Sequence, residues 1–367
     1  MDQKFKPIKD EIIDYKIGIR KLEKDKEYVA NYYWIKHLNC PKEAITNIDN
    51  YNISIDANNK SILIIRSIGL GDVLFLTPVL KKIKQVYPTC KIGFATASSQ
   101  HELLHFIKEI DEIIDYPIEY DIYNSYDYHF SVSGIIENSE IDKSSNIYYE
   151  YLNHLGVKDI NINDLIPHLT IPDLNSISLE NSSIIGIHPF SGDNIRQLGL
   201  SSISFLCSKL IKLGYSILMF SNKFEYEKYY KLFVKDITWS ISKNSNRQNV
   251  FKNTIEDLKT CKTVICGDSF ITHLCQAIGV HCISIYGPFS PKCRVEGYKN
   301  ITIIDTDPNC RCFKHQLNKC PKLITPSPCL NIDHDMIIEI IEKQELSYTN
   351  IEIQTPKINK YNWRSNV

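Results

Sequence analysis

An alternation of strands and helices, which occurs twice along the chain, is the sequence feature that most restricts the fold. It begins at residue 61, is interrupted by a weakly patterned region at about 117–180, and resumes with "SIIGIHP" near residue 183. Short runs rich in isoleucine and valine alternate with segments whose apolar residues recur every three or four positions. This pattern is typical of parallel sheets that are covered by helices. We therefore predict two α/β halves with a ligand cleft between them.

The interruptions of this pattern give the predicted domain boundaries. The region at about 117–180 is polar and contains several prolines, as expected of a connection between domains. The N-terminal residues include "DEIIDYKIGIRKLEKDKEYVANYYWIKHL", from which we predict a helical extension. The predicted units are this extension at 1–60, α/β domains at 61–175 and 176–345, and a C-terminal tail at 346–367.

Charge and hydropathy exclude several classes of partner. The 42 Lys and Arg residues nearly balance the 43 Asp and Glu residues, whereas proteins that bind nucleic acid usually carry a net positive charge. No run of about 18 apolar residues occurs, and the N-terminus lacks the apolar segment of a secretory signal. We therefore expect a soluble cytoplasmic protein that does not have nucleic acid as its main partner.

The loop after the first strand, in "ILIIRSIGLGDVLFLTPVL", contains Gly69 and Gly71 followed by Asp72. A dinucleotide-binding fingerprint would require a third glycine where Leu74 stands and an acidic residue after the second strand, where "KIGFATASS" has none. Asp72 has two compatible interpretations. It caps the helix, or it presents to the cleft a carboxylate that the helix N-terminus keeps ionised, as a proton acceptor must be.

Two further strand ends carry polar residues. The loop "HPFSGDNIRQ" contains Arg196, whose guanidinium suits phosphate oxygens, although an ordinary surface loop has the same composition. In "CGDSFITHLC", Asp268 and Ser269 stand where a buried strand meets a helix, and a helix N-terminus binds anions readily. His273 follows one turn later. Caps and a structural histidine are the alternative interpretation of these three residues.

Taken together, "ILIIRSIGLGDVLFLTPVLKKIKQVYP", "IHPFSG…R" and "CGDSFITHLCQAIGV…ISIYGPFSP" resemble the bacterial lipopolysaccharide heptosyltransferases, glycosyltransferase family nine, over residues 61–345. The resemblance implies the GT-B architecture, in which two Rossmann-like domains face each other across a cleft. The domain at 61–175 would bind the acceptor and the domain at 176–345 the nucleotide sugar. The implied reaction is metal-independent transfer of a sugar, with inversion, to an acceptor hydroxyl.

The resemblance also implies partners. The family's typical donor is ADP-heptose, and its acceptors are linked to lipid, which would place the enzyme at the inner face of the membrane as a peripheral protein. A glycan, a lipid-linked glycan and a protein all stay open as the acceptor. Two departures, Phe270 in place of a glycine and Leu198-Gly199 in place of Trp-Pro, predict a reshaped donor pocket, so a related nucleotide sugar also stays open as the donor.

Residue roles follow from the matching motif positions. Asp72 would be the general base that deprotonates the acceptor. Arg196 takes the place of a lysine that binds the donor phosphates. The predicted donor-binding set comprises Ser191, Gly192, Arg196, Asp268, Ser269, His273 and Gly287.

A cysteine-rich segment, "CRCFKHQLNKCPKLITPSPCL", contains four of the twelve cysteines in the chain. Four thiolates are a complete set for tetrahedral zinc or iron, and free thiols are the alternative. Catalysis itself is expected to need no cofactor. Two other functions stay open: a catalytically inactive protein that binds nucleotide sugars, and a metal or redox protein built on these cysteines. The four candidate metal ligands are Cys310, Cys312, Cys320 and Cys329.

Overall fold

The computed structural model of the chain is an α/β structure with two parallel sheets. It describes residues 2–7, 10–15, 18–31, 35, 46–47, 57–133, 135, 146–154, 161, 164–171, 182–192, 194–241, 250–307, 328–343 and 353–354.

Most of the described residues of the N-terminal segment lie in strands, so the predicted helical extension is wrong there. The strands are β1 (Asp2–Phe5), β2 (Glu11–Tyr15), β3 (Gly18–Leu22), β4 (Tyr28–Asn31) and β5 (Thr46–Asn47). β2 and β3 form an antiparallel hairpin, and β1 pairs antiparallel with β4 and β5. Ile12, Ile13 and Ile19 are β-branched residues, which favour strands, and Gly18 disfavours a helix.

The first parallel sheet lies within residues 61–131 and has the order β10-β6-β7-β8. The alternation from residue 61 predicts strands at 61–66, 91–97 and 112–116, and all three are confirmed. The segment "HELLHFIKEI" predicts a helix at 101–110, but the helix ends already at Leu104. The carboxylate of Asp111 accepts a hydrogen bond from the backbone of Ile92 and so ties the following turn to the sheet. The elements are β6 (Ser61–Ile65), α1 (Leu70–Val86), β7 (Lys91–Thr96), α2 (His101–Leu104), β8 (Glu112–Asp115), β9 (Ile118–Glu119), α3 (Tyr120–Asn124) and β10 (Tyr128–Ser131).

The N-terminal strands cover one face of this sheet. Phe5, Leu22 and Tyr28 are buried in one apolar cluster with Leu63 and Ile65 of β6. β9 pairs with β4 and joins the two layers. The other face of the sheet packs against α1, whose buried residues recur at helical spacing as the sequence predicts.

The second sheet is parallel and has seven strands in the order β13-β12-β11-β14-β15-β16-β17. The sequence predicts strands in "SIIGIHP", "YSILMFS", "KTVICGD" and "VHCISIYGP" and helices in "SSISFLCSKLIKLG", "NTIEDLKTC" and "SFITHLCQAIG", and all of these are present. The strand at Ile237–Ile241 and the helix at Lys223–Tyr229 were not predicted. The strands of this sheet are β11 (Ile184–His188), β12 (Ser216–Ser221), β13 (Ile237–Ile241), β14 (Thr263–Gly267), β15 (Cys282–Tyr286), β16 (Ile301–Asp305) and β17 (Ile353–Gln354).

Helices connect these strands, and one helix precedes them. Within the connecting region the sequence predicts one helix, near residues 148–155, and it is confirmed as α4. The helices are α4 (Ile147–His154), α5 (Leu200–Lys212), α6 (Lys223–Tyr229), α7 (Val250–Thr260), α8 (Phe270–Ile278), α9 (Lys292–Val295) and α10 (His334–Lys343). No helix among them or elsewhere in the described parts is both long and apolar enough to span a membrane.

The two halves meet through α1 and α8, and one buried apolar cluster contains residues of both. The approach is close, because a Cβ at Gly71 would lie 3.6 Å from the ring of His273. The buried hydroxyls of Tyr148 and Tyr298 are 2.8 Å apart and add a polar contact. As a result, the N-terminal turns of α1 and α8 face each other across the junction of the halves.

Candidate active site

The loop before α1 holds Asp72 in an ion pair. The guanidinium Nη2 of Arg66 donates to Oδ2 of Asp72 at 2.7 Å, and its Nε donates to the carbonyl of Ile68 at 2.8 Å. The Arg66 side chain is 5% exposed and that of Asp72 is 22% exposed, so the cation is fixed while the carboxylate can still be reached from the cleft.

Gly69, rather than Asp72, occupies the N-cap position of α1. Its φ of 109° is readily adopted only by glycine. A Cβ there would collide with Oδ2 of Asp72. The cap interpretation of Asp72 is therefore wrong. The glycine makes room for the carboxylate, which lies in the first helical turn, where the helix dipole favours negative charge.

The loop after β11 turns Arg196 towards Asp268. The Arg196 Nη1 donates to the backbone carbonyl of Asp268 at 3.2 Å and lies 3.6 Å from its carboxylate oxygen Oδ2. Arg196 is therefore not the solvated surface residue of the alternative interpretation. Ser191 and Gly192 belong to the same loop, and a Cβ at Gly192 would have no heavy atom within 4 Å.

Asp268 is the buried anion of the site, with 2% of the residue exposed. A second cation, Arg294 of α9, has its Nε 3.7 Å from the same Oδ2. Burial alone would raise the pKa of Asp268, but the charges of Arg294 and Arg196 hold it below its usual value. Neither carboxylate oxygen and neither arginine Nε has a hydrogen-bond partner. Four buried polar atoms are thus unsatisfied at one place.

The sequence prediction did not include Arg294, although a signal was present. It follows the "GPFSP" turn that closes β15, and a cation near the end of a parallel strand is a candidate for an anion site. The structure stacks its guanidinium 4.2 Å from the ring centre of Phe289.

His273 lies one turn into α8 and is neutral. Burial lowers its pKa to about 3, and the nearby Asp268 only partly offsets that effect. Its Nδ1 is 3.0 Å from the hydroxyl of Tyr298, and its ring centre is 4.3 Å from that of Phe75 in α1. In this arrangement the imidazole takes part in hydrogen bonding without carrying charge.

Ser269 occupies the N-cap position of α8, yet its hydroxyl makes no capping hydrogen bond. The hydroxyl instead lies 3.4 Å from Nδ1 of His188, whose pKa burial lowers to about 4. The Ser269 side chain therefore does not cap α8. The backbone N–H of Thr272 donates to the carbonyl of Ser269 at 3.1 Å, so only the N–H groups before it stay available to an anion.

The remaining predicted positions have structural explanations. Phe270 packs edge-on against Phe251, with ring centres 5.9 Å apart, and Leu198 is fully buried. A Cβ at Gly287 would collide with the carbonyl oxygen of Cys329. Packing thus accounts for the glycine at 287, and its role in donor binding stays a prediction.

Most of the cysteine cluster lies outside the described residues. Cys310, Cys312 and Cys320 fall there, and only Cys329, which is buried, is described. Over the described ranges no group of three or more metal-binding side chains occurs. The metal site stays a prediction.

Two Rossmann-like halves whose strand ends meet across a cleft define the GT-B class of glycosyltransferase folds. Solved structures of this class superpose on the chain. They include the family 9 glycosyltransferase of Veillonella parvula DSM 2008, with a TM-score of 0.59 and 16% identity over 80% of this chain and 99% of that chain. The ADP-heptose lipopolysaccharide heptosyltransferase II of E. coli has a TM-score of 0.58 and 16% identity over 78% and 99%.

Within this class, residues 207–323 match the family model of glycosyltransferase family 9 (heptosyltransferase). The matched segment contains Asp268, His273 and Arg294 but not Asp72. The resemblance inferred from the sequence motifs is confirmed by this match and by the shared fold. No protein of curated function matches the chain.

A third neighbour extends the likeness into residues 1–60. The iron-containing dodecameric glycosyltransferase TibC of enterotoxigenic E. coli H10407 has a TM-score of 0.58 and 11% identity over 94% of this chain and 92% of that chain. Because residues 1–60 are far more than the 6% of the chain left unmatched, the likeness includes part of them. TibC is also solved with ADP-D-β-D-heptose, at 14% identity over 79% of each chain and a TM-score of 0.58.

Proposed function

We propose that the protein is an inverting glycosyltransferase that moves heptose or a related sugar from a nucleoside-diphosphate donor to an acceptor hydroxyl. The supporting observation is the group of unsatisfied polar atoms around Asp268. Its carboxylate oxygens lack donors, while the Nε–H groups of Arg196 and Arg294 lack acceptors. Buried polar groups normally have partners. A sugar diphosphate would supply both, hydroxyls for the carboxylate and phosphate oxygens for the guanidinium groups.

On the acceptor side, Asp72 would act as the general base. It would take the proton of the acceptor hydroxyl while the oxygen attacks the anomeric carbon from the face opposite the diphosphate. Arg66 would hold the carboxylate in place through their 2.7 Å hydrogen bond. Proton transfer to a base placed in this way contributes about 10²–10⁴-fold to the rate.

On the donor side, the bond between the anomeric carbon and the diphosphate oxygen breaks, and the electron pair stays on the nucleoside diphosphate. The growing charge would be stabilised by Arg196, by Arg294 and by the N-terminus of α8. Two arginines and a helix terminus supply the positive charge that a divalent metal supplies elsewhere, so we propose metal-independent transfer.

The similar structures support ADP-heptose as the first donor to test. Heptosyltransferase II is described as an ADP-heptose enzyme, and TibC is solved with ADP-D-β-D-heptose. Phe270 differs from the family pattern, so other nucleotide sugars belong in the same test. The acceptor is proposed as a glycan, a lipid-linked glycan or a protein. Location in the cytoplasm, with peripheral attachment to the inner membrane for a lipid-linked acceptor, is part of the same proposal.

A structural metal at the cysteine cluster is a separate proposal. TibC is described as containing iron, and four thiols are a donor set that suits iron or zinc. The one described member, Cys329, is buried, and its carbonyl accepts a hydrogen bond from Thr306 beside β16. Elemental analysis of the purified protein is expected to give about one iron or zinc per chain, and less than about a tenth of an equivalent would contradict the proposal.

The function is tested with a panel of ADP-, GDP- and UDP-linked sugars, using donor hydrolysis detected by mass spectrometry, which requires no acceptor. Asp72→Asn is expected to lower turnover at least about 100-fold and to leave the affinity for the product nucleotide within about threefold. Asp121→Asn is the matched control, because Asp121 is an exposed aspartate in the first turn of another helix of the same half.

The outcomes separate the alternatives. If Asp72→Asn turns over the donor as fast as wild type, Asp72 is not the general base. Binding of a nucleoside diphosphate without turnover of any donor would favour the inactive binding protein. If no nucleotide binds, the proposed function is wrong.

A further inference from the structure

We propose that Arg294 is a ligand of the donor diphosphate, opposite Arg196 and on the side of the donor site that faces Asp72. The inference rests on the proposed function and adds a residue that the sequence motifs did not indicate. Asp268 would then serve as the shared counterion that holds both guanidinium groups in position.

The charges at this place do not balance. Nη1 of Arg196 and Nε of Arg294 lie 3.6 Å and 3.7 Å from the same oxygen of Asp268, and His273 beside them is neutral. Two cations therefore share one anion in a buried setting. Uncompensated charge is costly there, and an anionic ligand would compensate it.

Packing fixes the Arg294 side chain at the junction of the two halves. Its guanidinium centre lies 4.2 Å from the ring centre of Phe289 and 6.0 Å from that of Phe75. Phe75 follows Asp72 by three residues on α1, so the two side chains lie on the same face of that helix. A planar guanidinium held against an aromatic ring presents its donors in one direction, which lysine does not do.

Arg294 stays charged in this position. Burial by itself would lower its pKa, but the negative charges of Asp268 and Asp72 raise it above its usual value.

A comparison with Arg66 separates a ligand from a structural arginine. Arg66 uses Nε, Nη1 and Nη2 in hydrogen bonds to Ile68, Val132 and Asp72. Arg294 is nearly as buried, with 12% of its side chain exposed, but its buried Nε lies 3.7 Å from Oδ2 of Asp268 and has no hydrogen-bond partner. An arginine kept for stability alone would be expected to satisfy such a donor. The unsatisfied donor points to a ligand with acceptor oxygens.

The test is calorimetric binding of ADP, pyrophosphate and adenosine to the full chain. Arg294→Gln is expected to weaken ADP and pyrophosphate binding about 10- to 100-fold, as the loss of one charged hydrogen bond does, and to leave adenosine binding unchanged. Lys292→Gln is the matched control, because it removes the same charge from an exposed position of the same helix. Its ADP affinity is expected to equal that of wild type.

Thermal melting checks that each variant is folded. If Arg294→Gln does not fold, Arg294→Lys is measured in its place, because lysine keeps the positive charge beside Asp268 but lacks the planar group of donors. The ADP affinity of Arg294→Lys is expected to fall at least about fivefold. Wild-type ADP affinity in a folded Arg294 variant, or an equal loss for ADP and adenosine, would overturn the inference alone. Failure of wild type and Lys292→Gln to bind ADP, GDP or UDP would overturn the proposed function and the inference with it.

Discussion

The two halves of the molecule each present an aspartate to the junction, and the two aspartates are held in different ways. Asp72 has a hydrogen bond of 2.7 Å to Arg66 and is 22% exposed. Asp268 is almost fully buried, lies 3.6–3.7 Å from two arginines, and has no hydrogen-bond partner for its carboxylate. The first arrangement is complete without a ligand, as a group that must be positioned before reaction should be. The second lacks partners that a donor molecule would bring.

The largest expected effect is the loss of stability when the aspartate of one half, Asp72 or Asp268, is replaced by alanine. Asp268→Ala leaves two buried guanidinium groups without a counterion and is expected to lower the free energy of unfolding by about 3–5 kcal/mol. Asp72→Ala is expected to cost less, because this carboxylate is 22% exposed and Arg66 keeps its hydrogen bonds to the carbonyls of Ile68 and Val132. Urea unfolding of both variants measures the difference. An equal loss for the two would show that the ion pairs do not differ in this way.

The second prediction concerns positioning by Arg66. Arg66→Gln is expected to lower turnover about 10- to 100-fold, because Asp72 is no longer held, and to leave the KM for the donor unchanged. Arg66→Lys should recover part of the turnover, since an ammonium group keeps one charged hydrogen bond. Steady-state kinetics with a saturating donor decide between this role and donor binding, which a raised KM at constant kcat would indicate.

The third prediction uses the glycine that makes room for Asp72. Gly69→Ala forces a side chain into the left-handed region and against the carboxylate, so the free energy of unfolding is expected to fall by at least about 1–2 kcal/mol. Gly192→Ala is the matched stability control, because its Cβ would meet no atom within 4 Å. Chemical denaturation of both proteins tests the difference, and equal stability would contradict the crowded geometry at Gly69.

The smallest expected effect is on the loss of stability at acidic pH, which we assign mainly to the half that contains the seven-stranded sheet. Burial lowers the pKa of His281 to about 4, below the usual value of 6.5, so the unfolded chain binds more protons between these values. The contribution of His281 to the free energy of unfolding is therefore complete above pH 6.5. It is lost as the pH falls towards 4, at about 1.4 kcal/mol per pH unit. His281→Gln should reduce the slope of unfolding free energy between pH 6 and pH 5 by about that amount. An unchanged slope would mean that His281 is not buried as a neutral group.

Sequence patterns predicted three of the four strands described in the first parallel sheet and four of the seven described in the second, where local and tertiary preferences agree. Two examples are the apolar stripe of α1 and Gly279, which ends α8 in the left-handed conformation. Both depend on local properties, namely periodicity and backbone conformation. The prediction of an N-terminal helix was wrong because a charged segment that contains isoleucines can form a helix or a strand, depending on the surface against which it packs. Phe5, Leu22 and Tyr28 become strand residues by covering the first sheet.

Part of the candidate site was also predictable from local sequence patterns. Asp72, Arg196 and Asp268 follow strands of parallel sheets, and strand ends of this kind gather at one edge. Arg294 was missed because its connection to Asp268 runs across 26 residues of sequence and its contact with Phe75 joins different halves.

The sequence by itself determined the two α/β halves, the loops at the strand ends and the residue types in those loops, because periodicity and turn chemistry are encoded over short distances. Only the tertiary structure decided that Arg66 pairs with Asp72 and that two arginines share Asp268. Burial at the junction of the halves is what makes these charges interact strongly, and no local pattern contains that information.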